Sequence, residues 1–108
     1  MNIFDLNKMT KGWFIGDFEP NVIHSKDFEV AVKEYKKGDK EDKHYHRIST
    51  EITVIAKGKV RMFDKIFESG SIIEINPKEA TAFEAIEDTI TVVVKVPSSK
   101  NDKYLCKE

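Results

Sequence analysis

From residue 28 to 96 the chain is a succession of short runs rich in β-branched and aromatic residues, each broken after a few positions by glycine, proline, asparagine, aspartate or a charge cluster. No window carries the apolar spacing of a long helix, so the chain can only fold as sheets. The runs at 28–35, 44–48, 51–56, 59–63, 71–75, 81–86 and 89–96 are the expected strands. The segment Lys36-Lys-Gly-Asp-Lys-Glu-Asp-Lys43 reads as a solvated turn, Asn76-Pro77 and Glu87-Asp88 as tight turns, and Pro97 as the end of the last strand. Seven or eight short strands bury their apolar sides only by facing one another, which predicts an all-β sandwich or small barrel.

Size limits the chain to one such unit. At 12.4 kDa a compact fold exposes about 6,100 Å² against about 18,000 Å² unfolded, enough for a single core. Residues 28–96 are expected to form the barrel, 1–27 an arm covering an edge or end of it, and 97–108 a polar tail. The 18 Lys plus Arg nearly cancel the 19 Asp plus Glu, leaving no bulk field to attract nucleic acid or an anionic membrane. Cys106 is the sole cysteine, so no internal disulfide can form, and an intracellular, cytoplasmic setting is the default. The opening Met1-Asn-Ile-Phe-Asp-Leu has no basic n-region, and the apolar stretch Val92-Val-Val is far too short to span a bilayer.

The strongest chemical signal is His44-Tyr45-His46 with Glu51. Alternate strand residues share a face, so the two imidazoles point together and Tyr45 away, and Glu51 can return to the same pocket after the turn at 47–50. Two nitrogens and one carboxylate suit a divalent transition metal (Fe, Mn, Ni, Co or Zn) with positions left for water or substrate. A bare His-x-His pair is as often an ordinary surface or core feature. The wider spacing is more specific: Gly38-x5-His44-x-His46-x4-Glu51-x6-Gly58 resembles the first motif of the cupin superfamily.

Over residues 28–96 the resemblance implies a double-stranded β-helix, or jelly-roll barrel, often paired as a homodimer, with His44, His46 and Glu51 as metal ligands. A second cupin-like motif starts at Gly70-Ser-Ile-Ile-Glu-Ile-Asn-Pro77, but the family's further histidine falls on Ala82 and the usual turn glycine on Glu79. Alanine cannot coordinate a metal. Ala82, Glu84 and Ile86 share a strand face, so Glu84 either reaches back as ligand or catalytic acid/base, or serves as a substrate-facing or surface residue.

Three further groups are candidates for the pocket. Arg61 could clamp a carboxylate or phosphate, with Lys59 on the same strand face, although a solvated face accounts for both. Tyr35 could donate its phenolic proton or simply pack. Trp13, Phe14 and Phe18 could line the barrel mouth or a dimer surface. His24 lies outside the motif, and Ser98, Ser99 and Cys106 lack the partners of a nucleophilic triad. Cupins have many functions, so fold leaves chemistry open. The leading expectation is a metal-dependent enzyme acting on an oxygenated metabolite such as a sugar or carboxylate, with Glu84, Arg61 and Tyr35 assisting. The alternative is a noncatalytic, metal-containing module that binds a small ligand.

Overall fold

The computed structural model describes residues 1–106. After a 3-10 turn at Leu6–Lys8, the strands in chain order are β1 (Trp13–Gly16), β2 (Ile23–His24), β3 (Glu29–Tyr35), β4 (Lys40–Tyr45), β5 (Thr50–Lys57), β6 (Lys59–Met62), β7 (Lys65–Glu68), β8 (Ile72–Ile75), β9 (Thr81–Ala85), β10 (Thr89–Val96) and β11 (Tyr104–Leu105). They form two sheets, ordered β2-β1-β3-β10-β5-β8 and β11-β4-β9-β6-β7. The architecture is the expected all-β double-stranded β-helix, a jelly roll. Among the described residues no helix is long and apolar enough to cross a membrane.

The central strand of the first sheet shows why. In β10 the sequence Thr-Ile-Thr-Val-Val-Val-Lys-Val is almost wholly β-branched, which suits a pleated surface with neighbours on both sides. It pairs antiparallel with β3 and β5 along nearly its whole length. Thr89, Thr91 and Val93 turn inward and are buried. Ile55, Val60, Met62, Ile73, Ile75, Phe83 and Ala85 fill the space between the sheets as one cluster.

Several boundaries differ from the sequence expectation. Residues 36–43 are not wholly a solvated turn, because β4 already begins at Lys40. The strand expected at 44–48 stops at Tyr45, and 46–49 form a turn. Strand β7 was hidden because its hairpin turn, Phe63-Asp64, takes positive φ at both residues without a glycine, although Asn-Gly is the usual signal for that geometry. The end segments contribute β1, β2 and β11, each paired into a sheet. Gly12 fixes the start of β1: its φ is +82°, and a Cβ there would collide with the Val32 carbonyl.

The surface is 7194 Å², above the roughly 6,100 Å² of a compact chain this size. The excess accompanies an exposed arm, Met1, Ile3 and Phe4, and a cavity that opens between the sheets.

Candidate functional site

The cavity, about 370 Å³, lies between the inward faces of the two sheets. Its geometry follows from register. On the first sheet Glu51 pairs with Lys95, Thr53 with Val93, and Ile55 with Thr91 across β5 and β10. Ala31 pairs with Val93 and Lys33 with Thr91 across β3 and β10. Polar residues therefore occupy inward positions next to the apolar core.

On the second sheet a register shift between Glu41 and His44 in β4 turns both residues inward. Without that irregularity two residues three apart would face opposite ways. His46, two residues past His44, follows on the same side. The cavity thus brings together His44, His46, Glu51 and Tyr35 of the sequence-derived candidates.

Arg61 and Glu84 are not among its lining. They pair across β6 and β9, with Arg61 Nε 3.8 Å from Glu84 Oε1 in a half-exposed ion pair, and they border a separate depression of about 490 Å³. The inward set of β9 is Thr81, Phe83 and Ala85, all buried. Period-two geometry then sends Ala82 and Glu84 outward, so Thr81 rather than Ala82 meets the cavity. His24 is bonded to Asp17 at 2.7 Å on the surface.

Inside the cavity, the Tyr35 hydroxyl donates a 2.5 Å hydrogen bond to Glu41 Oε2. Burial, with the Glu41 charge beside it, pushes the phenol up. Burial also works to raise the Glu41 carboxyl, but the Tyr35 bond and the Lys33 ammonium outweigh it and hold it below its usual value. Tyr35 is thus held as a neutral donor and Glu41 as an anion at neutral pH.

His46 is 5% exposed. Burial, reinforced by the charges of Lys95 and His44, lowers its pKa from 6.5 to about 4. The ring is neutral at pH 7, and among the described residues no protein group hydrogen-bonds its Nε2. Thr91 Oγ1 is likewise buried without a partner. Both residues line this cavity. Buried polar atoms are nearly always satisfied, so two such orphans on residues of one cavity wall are where a ligand or water reaching into that wall would find unmet hydrogen-bonding groups.

His46 Nε2 is a donor a metal could use, and the His44 and His46 ring centroids lie 5.4 Å apart. The third donor does not join them: among the described residues no group of three or more His, Cys, Asp and Glu side chains is placed to hold a metal ion. Glu51 Oε2 accepts from Thr53 Oγ1 at 2.9 Å, and His44 Nδ1 is 2.9 Å from the Asp42 carbonyl oxygen. The side chains present do not fit the expected three-residue shell.

The turn that follows His46 is held from the opposite end of the chain. Asp102, 6% exposed, accepts hydrogen bonds from the backbone N–H groups of Arg47 (2.9 Å), Ile48 (3.1 Å) and Ser49 (3.0 Å). The Ser49 hydroxyl donates to the Pro97 carbonyl, and the Tyr45 and Tyr104 rings stack 5.4 Å apart. Sequence reasoning missed Asp102, since an isolated aspartate in a polar stretch carries no periodic signal. It also missed Glu41, Lys33 and Lys95. Ala31 between larger residues of β3 was the one hint that something packs over that strand.

No family model matches the chain, and no curated protein matches it by sequence. Solved structures do resemble it. A conserved Klebsiella pneumoniae protein with a double-stranded β-helix domain is 17% identical, with a TM-score of 0.73 over 98% of this chain and 92% of that one. An RmlC-like cupin from Shewanella frigidimarina is 15% identical, with a TM-score of 0.63 over 70% of this chain and 71% of that one. The DMSP lyase DddQ from Ruegeria pomeroyi is 16% identical, with a TM-score of 0.70 over 84% of this chain and 48% of that one. These likenesses establish the fold as cupin-type.

Proposed function

We propose that this cupin-type domain binds a small oxygenated metabolite, a sugar or carboxylate, in the cavity between its sheets. The carrying observation is that two residues lining one cavity, His46 and Thr91, each hold a buried polar atom, Nε2 and Oγ1, without a partner among the described residues. A ligand whose polar groups satisfied either atom would remove a desolvation penalty of about 1–3 kcal/mol. Tyr35, His44 and Glu51 add to the polar lining, with the Tyr35–Glu41 pair presenting acceptor oxygens, since the phenol hydrogen bond is already donated to Glu41. The lyase among the structural relatives supports small-molecule chemistry for this architecture. A panel of sugars and small organic acids, screened by thermal shift and isothermal titration, should yield a binder that His46→Leu weakens at least tenfold. A panel without a binder would overturn the reading.

The second reading is the metal-dependent enzyme, with a divalent ion on His44, His46 and Glu51. It is favoured by the free His46 Nε2 and opposed by the dispersed third donor. Titration of metal-free protein with Fe(II), Mn(II), Ni(II), Co(II) and Zn(II) decides it. Stoichiometric binding lost in His44→Ala would establish a histidine-dependent metal site, and none with any ion would exclude one. Turnover of a panel member by the loaded protein alone would then make it an enzyme.

We also propose that the domain pairs with a second copy through the outer face of its larger sheet. Register aligns Val32, Val92, Val54 and Ile72 in one row across β3, β10, β5 and β8, and Val30, Val94, Ile52 and Glu74 in the next. With strands about 4.8 Å and rows about 6.8 Å apart this field covers about 260 Å², a third of the roughly 800 Å² per partner in a standard interface. A polar rim would supply the rest. Ile72 is 70% exposed at the sheet edge. Light scattering should give twice the 12.4 kDa chain mass, and Ile72→Glu should shift it towards monomer. A native monomer at all concentrations would refute the pairing.

A further inference from the structure

We propose that the ligand of the cavity is a small organic dianion whose two negative groups are met by Lys33 and Lys95, both beside Trp13. The inference rests on the ligand-binding reading above and names the class of ligand. Trp13 pairs with Ala31, which is 0% exposed and has Val93 as its partner on the other side. The small side chain leaves room for the indole. Because β3 and β10 run antiparallel, Lys33, two residues beyond Ala31, and Lys95, two residues beyond Val93, extend in opposite directions along the sheet. Their Nζ atoms lie 5.3 and 5.0 Å from the Trp13 ring centroid. The two ammonium groups are therefore at most about 10 Å apart, by the sum of those distances. With hydrogen bonds of about 2.8 Å at each end, at most about 5 Å remains between the accepting oxygens, which dicarboxylates of three to five carbons reach, the longest of them in a bent conformation.

Neither ammonium is in an ion pair among the described residues. The nearby carboxylates hydrogen-bond other groups, Glu41 with Tyr35, Glu51 with Thr53, and Glu29 with the Ser99 N–H, and keep their charge, so they balance the two lysines only across a distance. Lys11 and Lys103 add two more cationic side chains to the same lining. Burial, and then the like charges of Lys95 and Lys103, hold the Lys33 ammonium below its usual pKa despite the opposing pull of Glu41. Against the Glu41, Glu51 and Glu79 carboxylates of the same lining the four lysines leave a positive excess, and an anion beside Lys33 favours the charged form that burial disfavours. Cation–π attraction meanwhile holds both ammonium groups beside the Trp13 ring, itself part of the cavity lining.

The test compares three probes, the five-carbon glutarate and 1,5-pentanediol and the four-carbon monoanion butyrate, by titration calorimetry on the native protein at low salt. Glutarate is expected to bind at least tenfold more tightly than butyrate. That preference should shrink as ionic strength rises, and Lys33→Met and Lys95→Met should each reduce glutarate to the affinity of butyrate. If a methionine variant does not fold by circular dichroism, the salt dependence of the glutarate-to-butyrate ratio decides the matter. Equal binding of glutarate and butyrate would overturn the dianion assignment. Binding of the diol with both acids inert would overturn it while leaving the ligand-binding reading in place. Failure of all three, together with the sugar and acid panel above, would remove both.

Discussion

Asp102→Ala is expected to lower the unfolding free energy by about 3–5 kcal/mol, because it strands three backbone N–H groups that a buried carboxylate now satisfies. The Asp102 oxygens accept from Arg47, Ile48 and Ser49, so the loss falls on the turn that carries His46 into the cavity. Burial by itself would raise the Asp102 pKa, but the three N–H donors and nearby His46 outweigh it and bring it below 3.8. Its contribution is accordingly present above pH 3.8 and is lost as the pH falls through the lower folded value. Urea denaturation of both proteins at pH 7 measures the effect. A loss under about 1 kcal/mol would show that the turn holds itself. Asp102→Asn, which keeps the shape but turns an NH2 towards the donors, should fall between the two.

Acidification should destabilise the fold well before the carboxylates titrate, and His46 is the reason. Its pKa is 6.5 when unperturbed and about 4 in the folded chain. Between those values the unfolded chain binds a proton that the folded chain does not, so stability is full above pH 6.5 and declines as the pH drops towards 4. At about 1.4 kcal/mol per pH unit the total is on the order of 3 kcal/mol. His46→Leu removes the titrating group and fills a similar volume. It should flatten the decline between pH 6.5 and 4 in chelator-containing buffer while leaving stability at pH 7 nearly unchanged, since an unsatisfied buried nitrogen is lost with it. Parallel slopes for native and variant proteins would assign the acid sensitivity elsewhere.

Much of the architecture was legible from residue order. The runs at 51–56, 71–75, 81–86 and 89–96 lie within one or two residues of β5, β8, β9 and β10, because β-branched alternation and turn residues are local properties. The misses share a cause. Strand β4 begins inside Lys40-Glu-Asp-Lys-His-Tyr, where charge suggested solvent, since an edge-proximal strand with a register shift need not look apolar. Strand β11 is two residues long and is defined only by its partner β4.

The site divided along the same line. The spacing of His44, His46 and Glu51 did lead to residues that line one cavity, because two-residue periodicity sets the face of a strand. It could not say whether Glu51 meets the histidines or Thr53, which depends on how the two sheets are set against each other. For Glu84 the local argument correctly gave it the face of Ala82, but which face looks inward was decided by burial of Phe83 on the other side.

Sequence alone therefore determined that this chain is an all-β fold of short strands with two histidines on one face, since those features rest on propensity and periodicity along neighbouring residues, while the jelly-roll arrangement was implied only by the cupin resemblance. Only the tertiary structure decided that Lys33 and Lys95 flank Trp13, that Asp102 clamps the turn after His46, and that Arg61 and Glu84 lie outside the cavity. Each of those depends on pairing between residues far apart in the chain, where register and sheet-to-sheet packing, rather than local chemistry, choose the neighbour.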